Sequence, residues 1–134
     1  MCGILGWCNF NANPDLSLLR DASLYIKNRG PDHYGEYTND QISLVHRRLS
    51  IIDLSTNSNQ PMIDEKTGNV LIFNGEIYNF EELRNDIIKI SNKNIFKSRG
   101  DSEVILIGYR IYGLKKLLEK LEGMFAFSIW DEKN

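Results

Sequence analysis

The sequence has little cysteine, almost no net charge and no long apolar run, and each shortage excludes a class of protein. Its 134 residues carry 16 lysines and arginines against 18 aspartates and glutamates, so nothing indicates a basic surface for nucleic acid. No apolar run is long enough to cross a bilayer, and the first residues do not resemble a secretion signal. We therefore expect a cytoplasmic protein of one domain, without a nucleic-acid or membrane partner.

The two cysteines, Cys2 and Cys8, have a spacing that matches neither a zinc site nor a redox pair, and no metal site is predicted. Cys8 lies in an apolar context typical of a packed strand. Cys2 follows Met1 directly, so removal of Met1 would place a thiol and a free α-amine on one residue. Because such an amine accepts a proton near neutral pH, it can activate the thiol for attack on a carbonyl. The alternative is an ordinary residue at the second position.

Apolar runs alternate with turn residues and predict the secondary structure. Strands are expected over residues 3–10, 42–45, 49–52, 70–73 and 123–130, with a loop over 28–35 and a turn at Asn74-Gly75. Helices are expected over 14–26, from 80 onward, over 101–112 and over 114–121, with Asn79 and either Asp101 or Ser102 as N-caps and Gly113 as a stop. Because several strands are apolar on both faces, we expect stacked sheets flanked by helices.

Asn74 and Gly75 are candidates for an oxyanion hole. Hydrolysis of an amide needs donors for the oxygen that becomes negatively charged when a nucleophile attacks. The Asn74 side-chain NH₂ and the Gly75 backbone N–H can supply two such donors side by side. The alternative for this pair is a plain hairpin turn.

Three charged residues could recognise the ends of a free amino acid. Arg48 ends an apolar run, and its guanidinium can hold a carboxylate at two points; otherwise it is a solvated surface charge. Asp101 could pair with an ammonium group or serve only as an N-cap. Glu76 could help to bind the ammonium or face water. His33 and His46 are not needed as bases.

Seven short motifs together resemble the glutaminase domain of class II glutamine amidotransferases, the N-terminal-nucleophile group, and more narrowly its asparagine synthetase branch. They span almost the whole chain in the family's order. The motifs are Met1-Cys2-Gly3-Ile4, Arg29-Gly30-Pro31-Asp32, His46-Arg47-Arg48-Leu49-Ser50-Ile51, Gln60-Pro61-Met62, Asn74-Gly75-Glu76-Ile77-Tyr78-Asn79, Gly100-Asp101-Ser102-Glu103 and Gly123-Met124-Phe125-Ala126-Phe127. One departure is His33, where the family often has another acid.

The resemblance implies a fold and a set of roles. The fold is α+β, a four-layer α/β/β/α sandwich of two mainly antiparallel sheets, of the N-terminal nucleophile hydrolase type. Cys2 is the implied nucleophile and its own α-amine the base. The remaining roles are an oxyanion hole of Asn74 and Gly75, a carboxylate contact from Arg48, and ammonium contacts from Glu76 and Asp101.

The resemblance also implies a reaction and its partners. L-Glutamine and water give glutamate and ammonia through a γ-glutamyl thioester, without a cofactor for this half-reaction. A synthetase domain or partner chain then uses ATP and Mg²⁺ to activate an acceptor carboxylate, typically aspartate. Alternatives are a sugar, antibiotic or peptide acceptor, or a catalytically silent interaction module.

Residues 1–134 are expected to form a partial, C-terminally incomplete glutaminase domain, with the ATP-dependent synthetase domain absent. The chain contains no Ser-Gly-Gly pyrophosphate loop. The strand over 123–130 is expected to be left partly unpaired, and an apolar edge of this kind favours association with another copy.

Overall fold

The computed structural model describes residues 1–9 and 14–133, and its strands form two three-stranded antiparallel sheets. The first sheet has the order β1-β3-β2, with β1 (Gly3–Cys8), β2 (His33–Thr38) and β3 (Ile42–Arg48). The second has the order β4-β5-β6, with β4 (Met62–Ile63), β5 (Val70–Ile77) and β6 (Gly123–Trp130). The helices are α1 (Leu16–Tyr25), α2 (Phe80–Ser91) and α3 (Ser102–Lys120), with short 3₁₀ helices at Lys27–Arg29 and Thr56–Ser58.

The layers follow from the alternation of side chains along the strands. Ile42 and Leu44 of β3 pack against Val70 and Ile72 of β5, so the two sheets stack face to face. The other face of β5 packs in a second core with α2 and α3, which includes Leu71, Phe73, Ile77, Leu83, Ile87 and Val104. Helix α1 contacts the first sheet at β1 and β3. The expected α/β/β/α sandwich is confirmed.

Locally encoded features agree with the sequence predictions. Strand β6 has the predicted bounds. Strand β1 ends at Cys8, so Asn9 lies outside it, contrary to the prediction, and residue 10 of the predicted strand lies outside the described residues. Gly113 interrupts the helical backbone of α3 with φ 73° and ψ 167°, as a helix stop should.

The region around β2 and the end of β3 differs from the prediction. Residues 33–35 belong to the predicted loop over 28–35, and no element is predicted over 36–38, yet the whole segment pairs along β3, for example Gly35 with His46. Residues 49–52 were expected to be a strand, but β3 ends at Arg48. The physical reason is that Leu49 N–H donates to the Cys2 thiol and Ser50 N–H donates to the Asp32 carboxylate, so neither enters a ladder.

The Asn74-Gly75 pair is not a turn, and that prediction is wrong. Both residues lie inside β5, where Asn74 pairs with Ala126 and Gly75 with Phe125. A Cβ on Gly75 would stand 2.3 Å from the Met124 carbonyl oxygen, and the backbone φ is +154°. The glycine therefore serves a close approach between strands rather than a chain reversal.

Neither predicted cap makes the expected side-chain bond. Asn79 instead donates through Nδ2 to Lys120 O at 2.8 Å and accepts from Glu122 N–H at 3.1 Å, which ties α2 to the end of α3. The Asp101 carboxylate accepts from Ile77 N–H at 3.0 Å and so joins the start of α3 to β5. Tertiary contacts thus take the side chains that local sequence assigned to capping.

Strand β6 lies at an edge of its sheet within the described part of the chain. Phe125 and Phe127 on this strand remain partly exposed, as the sequence predicts for an unpaired edge. Among the helices described, none is long and apolar enough to cross a membrane.

Candidate functional site

A cavity of about 210 Å³ lies where β1 begins, β3 and β5 end and α3 starts. It is smaller than pockets for drug-sized ligands, about 300–1,000 Å³, and suits a ligand the size of one amino acid. All predicted site residues except Asn74 line it, namely Cys2, Arg48, Gly75, Glu76 and Asp101. Its other lining residues are Met1, Leu49, Ile51, Ile52, Asp53, Ser58, Gln60, Phe73, Gly100 and Ser102.

Cys2 is held at this cavity by hydrogen bonds to its thiol and to its carbonyl oxygen. Its thiol accepts a hydrogen bond from Leu49 N–H at 3.4 Å, and its carbonyl oxygen accepts from Arg29 Nε at 3.1 Å. Met1 also lines the cavity and is 61% exposed, so its removal would uncover the Cys2 amine at the same place. Cys8 is exposed and lines a different cavity, between the two sheets beside β1.

Asn74 lies next to Gly75 on β5, the strand that forms one wall of the cavity. Its Oδ1 is buried and has no hydrogen-bond partner among the described residues. Its Nδ2 also has no hydrogen-bond partner among the described residues, but this atom is not fully buried. The side-chain NH₂ of Asn74 is therefore free to donate, as the predicted oxyanion role requires.

Arg48 is buried, with 6% of its surface exposed, so the alternative of a solvated surface charge is wrong. Its guanidinium donates to Ser55 O at 2.8 Å, to Asn59 Oδ1 at 2.7 Å and to Asp53 O. A guanidinium has five N–H donors, so two remain. No carboxylate among the described residues forms an ion pair with Arg48. A buried cation without a counterion favours an anionic ligand.

Burial, together with the positive charge of Arg48, lowers the pKa of both histidines. Burial, opposed by the hydrogen bond to Phe73 O and helped by Arg48, lowers the pKa of His46 to about 4. Burial and then Arg48 also lower the pKa of His33. His46 is fully buried, and its Nε2 lies 3.1 Å from Phe73 O, across the two sheets. At neutral pH the His46 imidazole is uncharged, and it joins the sheets beneath the site.

Asp101 and Glu76 are the acidic candidates that line the same cavity as Arg48. Burial raises the pKa of Asp101 and Glu76 raises it further, against the hydrogen bond from Ile77 N–H. Asp101 is 7% exposed, whereas Glu76 is exposed. Two neighbouring carboxylates, one of them buried, repel each other less when a cation lies between them. This pair is therefore suited to an ammonium group.

Asp53 is a site residue that the sequence analysis missed. Its carboxylate accepts from Ser55 N–H at 2.8 Å, Ser58 Oγ at 2.8 Å and Arg99 N–H at 2.7 Å. Burial acts to raise the pKa of Asp53, but these hydrogen bonds outweigh it and hold the pKa well below its usual range. Asp53 thus links the segment that holds Arg48 to the segment before Asp101. The Asp-x-Ser pattern indicates only the local turn.

The segment before Asp101 is fixed from its other side as well. Arg84 donates to Ser98 O at 2.9 Å and to Gly100 O at 2.7 Å, with its guanidinium over the Phe96 ring. Glu103 accepts from Ser98 N–H at 2.7 Å. Asp101 is consequently held by a loop whose backbone groups are bonded to rigid neighbours, so its carboxylate is preorganised.

Comparison with known proteins yields a family and several relatives. The family described as glutamine amidotransferase domain matches residues 1–134. The chain is 38% identical over 140 residues to asparagine synthetase (glutamine-hydrolyzing) 1 of Bacillus subtilis, a match that covers 100% of this chain and 21% of that protein. It is 37% identical over 137 residues to asparagine synthetase B (glutamine-hydrolyzing) of Escherichia coli, covering 99% and 24%. Amidase chry2 of Gibberella zeae is 39% identical over 109 residues, covering 80% and 16%. The chain spans at most about a quarter of the length of these relatives.

Proposed function

We propose that this chain, which belongs to the glutamine amidotransferase domain family, is a glutaminase. It hydrolyses L-glutamine to L-glutamate and ammonia at Cys2. The observation that carries the proposal is the charge arrangement of the cavity. Arg48 is a buried cation without an ionic partner among the described side chains, and the buried carboxylate of Asp101 lines the same cavity. A free amino acid carries the two complementary charges, and the cavity that would bind it also holds a thiol.

The family assignment inferred from the seven motifs is confirmed by the match across the chain. The asparagine synthetase branch is confirmed by relatives that bear that name and align along almost the whole chain. The roles of individual residues are part of the proposal.

In the proposed reaction the Cys2 sulfur attacks the side-chain amide carbon of glutamine. As the S–C bond forms, the carbonyl π electrons move to oxygen, which the Asn74 side-chain NH₂ and the Gly75 N–H stabilise. The α-amine of Cys2 takes the thiol proton and passes it to the leaving nitrogen, and ammonia departs as the C–N bond breaks. Water then attacks the γ-glutamyl thioester, which releases glutamate and restores the thiol.

Substrate binding is assigned to the charged residues. The two remaining N–H groups of Arg48 hold the α-carboxylate, and Asp101 with Glu76 holds the α-ammonium. Both contacts are made equally to substrate and transition state, so they lower the KM rather than raise kcat.

For the whole protein we propose that the ammonia reaches an ATP-activated carboxylate, with aspartate giving asparagine, in the cytoplasm. ATP and Mg²⁺ belong to the synthetase portion. Within the described ranges, no group of three or more histidine, cysteine, aspartate or glutamate side chains could hold a metal ion. A different acceptor is the second candidate, since one relative of the domain is named as an amidase rather than a synthetase.

The test is a comparison of two cysteine variants in the natural full-length protein. Cys2→Ala should abolish ammonia release from glutamine, because none of the other residues that line the cavity carries a thiol. Cys8→Ala should retain the activity, since Cys8 lies at another cavity. Equal loss in both variants would refute the role of Cys2, and a wild-type protein that leaves glutamine untouched would favour the silent interaction module.

A further inference from the structure

Gln60 is a buried polar residue that lines the cavity, with only 6% of its surface exposed. The proposed reaction gives this residue no role. Its Oε1 accepts a hydrogen bond from Phe73 N–H at 2.6 Å. Because Phe73 is paired within β5, this bond fixes the rotation of the amide: the oxygen must point to β5, and the NH₂ must point elsewhere.

The NH₂ group of Gln60 has no hydrogen-bond partner among the described residues. The nitrogen of this group is not fully buried, and Gln60 lines the cavity of the candidate site. Since buried polar groups are nearly always hydrogen-bonded in folded proteins, two donors left in a ligand-sized cavity point to an acceptor on the ligand.

We infer that Gln60 is a further substrate-binding residue, whose side-chain NH₂ donates to the α-carboxylate of the bound amino acid beside Arg48. This inference rests on the proposed glutaminase function and goes beyond it by extending the carboxylate site to a neutral donor. Asn59, which precedes Gln60 in the chain, accepts from the Arg48 guanidinium at 2.7 Å, so the segment that carries Gln60 is joined to Arg48, and both residues line the cavity.

Three features select the carboxylate as the acceptor. An amide NH₂ group cannot accept a hydrogen bond, so it does not complement the substrate ammonium, which is assigned to Asp101 and Glu76. The amide oxygen of the substrate already has two donors in Asn74 and Gly75. The carboxylate has two oxygens with several lone pairs, more than the two free N–H groups of Arg48 saturate. A neutral donor adds a hydrogen bond there without adding charge.

The experiment uses Gln60→Glu, which keeps an oxygen for Phe73 N–H and removes the donor hydrogens at neutral pH. Binding is measured by calorimetry in the natural full-length protein carrying Cys2→Ala, which holds glutamine without turnover. We expect the Kd of L-glutamine to rise about 10- to 100-fold, the range for a lost hydrogen bond to a charged group. L-Glutamine α-amide, which lacks the carboxylate, should bind Gln60→Glu and the parent protein about equally.

Two further variants guard against trivial explanations. Gln41→Glu makes the same chemical change at an exposed turn, and it should leave both ligands unaffected. Gln60→Met removes the donors without adding charge and should show the same preference against the carboxylate ligand. Thermal unfolding of each variant identifies loss of folding, which would weaken both ligands together.

Two results would overturn the inference while leaving the proposed function standing. One is unchanged glutamine binding in both Gln60 variants. The other is a fall in kcat with an unchanged KM when Gln60→Glu is made in the active enzyme, which would place the NH₂ at the oxyanion. If the wild-type protein neither binds nor hydrolyses glutamine, the proposed function fails first and the inference fails with it.

Discussion

An Asp53→Asn substitution removes the carboxylate that joins the two substrate-binding segments of the site. The carboxylate accepts three hydrogen bonds on its two oxygens, from Ser55 N–H, Ser58 Oγ and Arg99 N–H. Asparagine offers one oxygen, so its NH₂ must face at least one backbone N–H. A hydrogen bond to a charged group contributes about 1.5–3 kcal/mol, so we expect a loss of about 2–4 kcal/mol in the free energy of unfolding.

The pH dependence of this loss identifies its cause. The hydrogen bonds hold the folded-state pKa of Asp53 below the unfolded value of about 3.9. A carboxyl with a depressed folded pKa stabilises the fold fully above about pH 5, and that contribution is lost as the pH falls through the folded pKa. The difference between wild type and Asp53→Asn should therefore be constant near neutral pH and shrink in acid.

The assay is urea unfolding followed by tryptophan fluorescence, at neutral pH and at a series of acidic values. Asp86→Asn is the matched control, because Asp86 forms only a half-exposed pair with Lys89 at 3.2 Å and should change stability by less than about 0.5 kcal/mol. Unlike this control, Asp53→Asn should also raise the KM for glutamine. A destabilisation of Asp53→Asn that does not vary with pH, or one no larger than that of Asp86→Asn, would refute the reasoning.

Three other outcomes are expected. Asn74→Ala should lower kcat about 10²–10³-fold with little change in KM in an ammonia-release assay; a pure rise in KM would remove the oxyanion role. Gly75→Ala should cost about 1–3 kcal/mol in urea unfolding, since its Cβ would stand 2.6 Å from Phe125 Cα, and an unchanged stability would contradict the close approach of β5 and β6. The affinity for glutamine should fall as acid protonates Asp101, whose pKa lies above its ordinary value; Asp101→Asn should bind weakly and flatten this calorimetric profile.

Elements specified by neighbouring residues could be predicted from the sequence. Strand β6 is apolar at nearly every position, and Gly113 is the kind of residue that ends a helix, so both are local properties. Strand β2 was missed because none of its residues is buried and it is held by pairing with β3. The error at Asn74-Gly75 has the same origin, since pairing with β6 overrides a local turn preference.

The candidate site shows the same division. The residue types that could act on an amino acid, such as Cys2, Arg48 and Asp101, are visible in the sequence because each carries a distinct charge or nucleophile. Their surroundings are not visible there. The bond from Arg99 N–H to Asp53 and the bond from Phe73 N–H to Gln60 join segments far apart in the chain, so only the fold reveals them.

The most direct test of the account follows the leading thiol through one turnover. The natural full-length protein is first shown by mass spectrometry to begin at Cys2, then mixed with L-glutamine and quenched rapidly in acid. The account predicts a γ-glutamyl adduct on the peptide that starts with Cys2, and equal amounts of ammonia and glutamate at longer times. A folded protein with Cys2 free at its N-terminus that forms no adduct and leaves glutamine intact would contradict it.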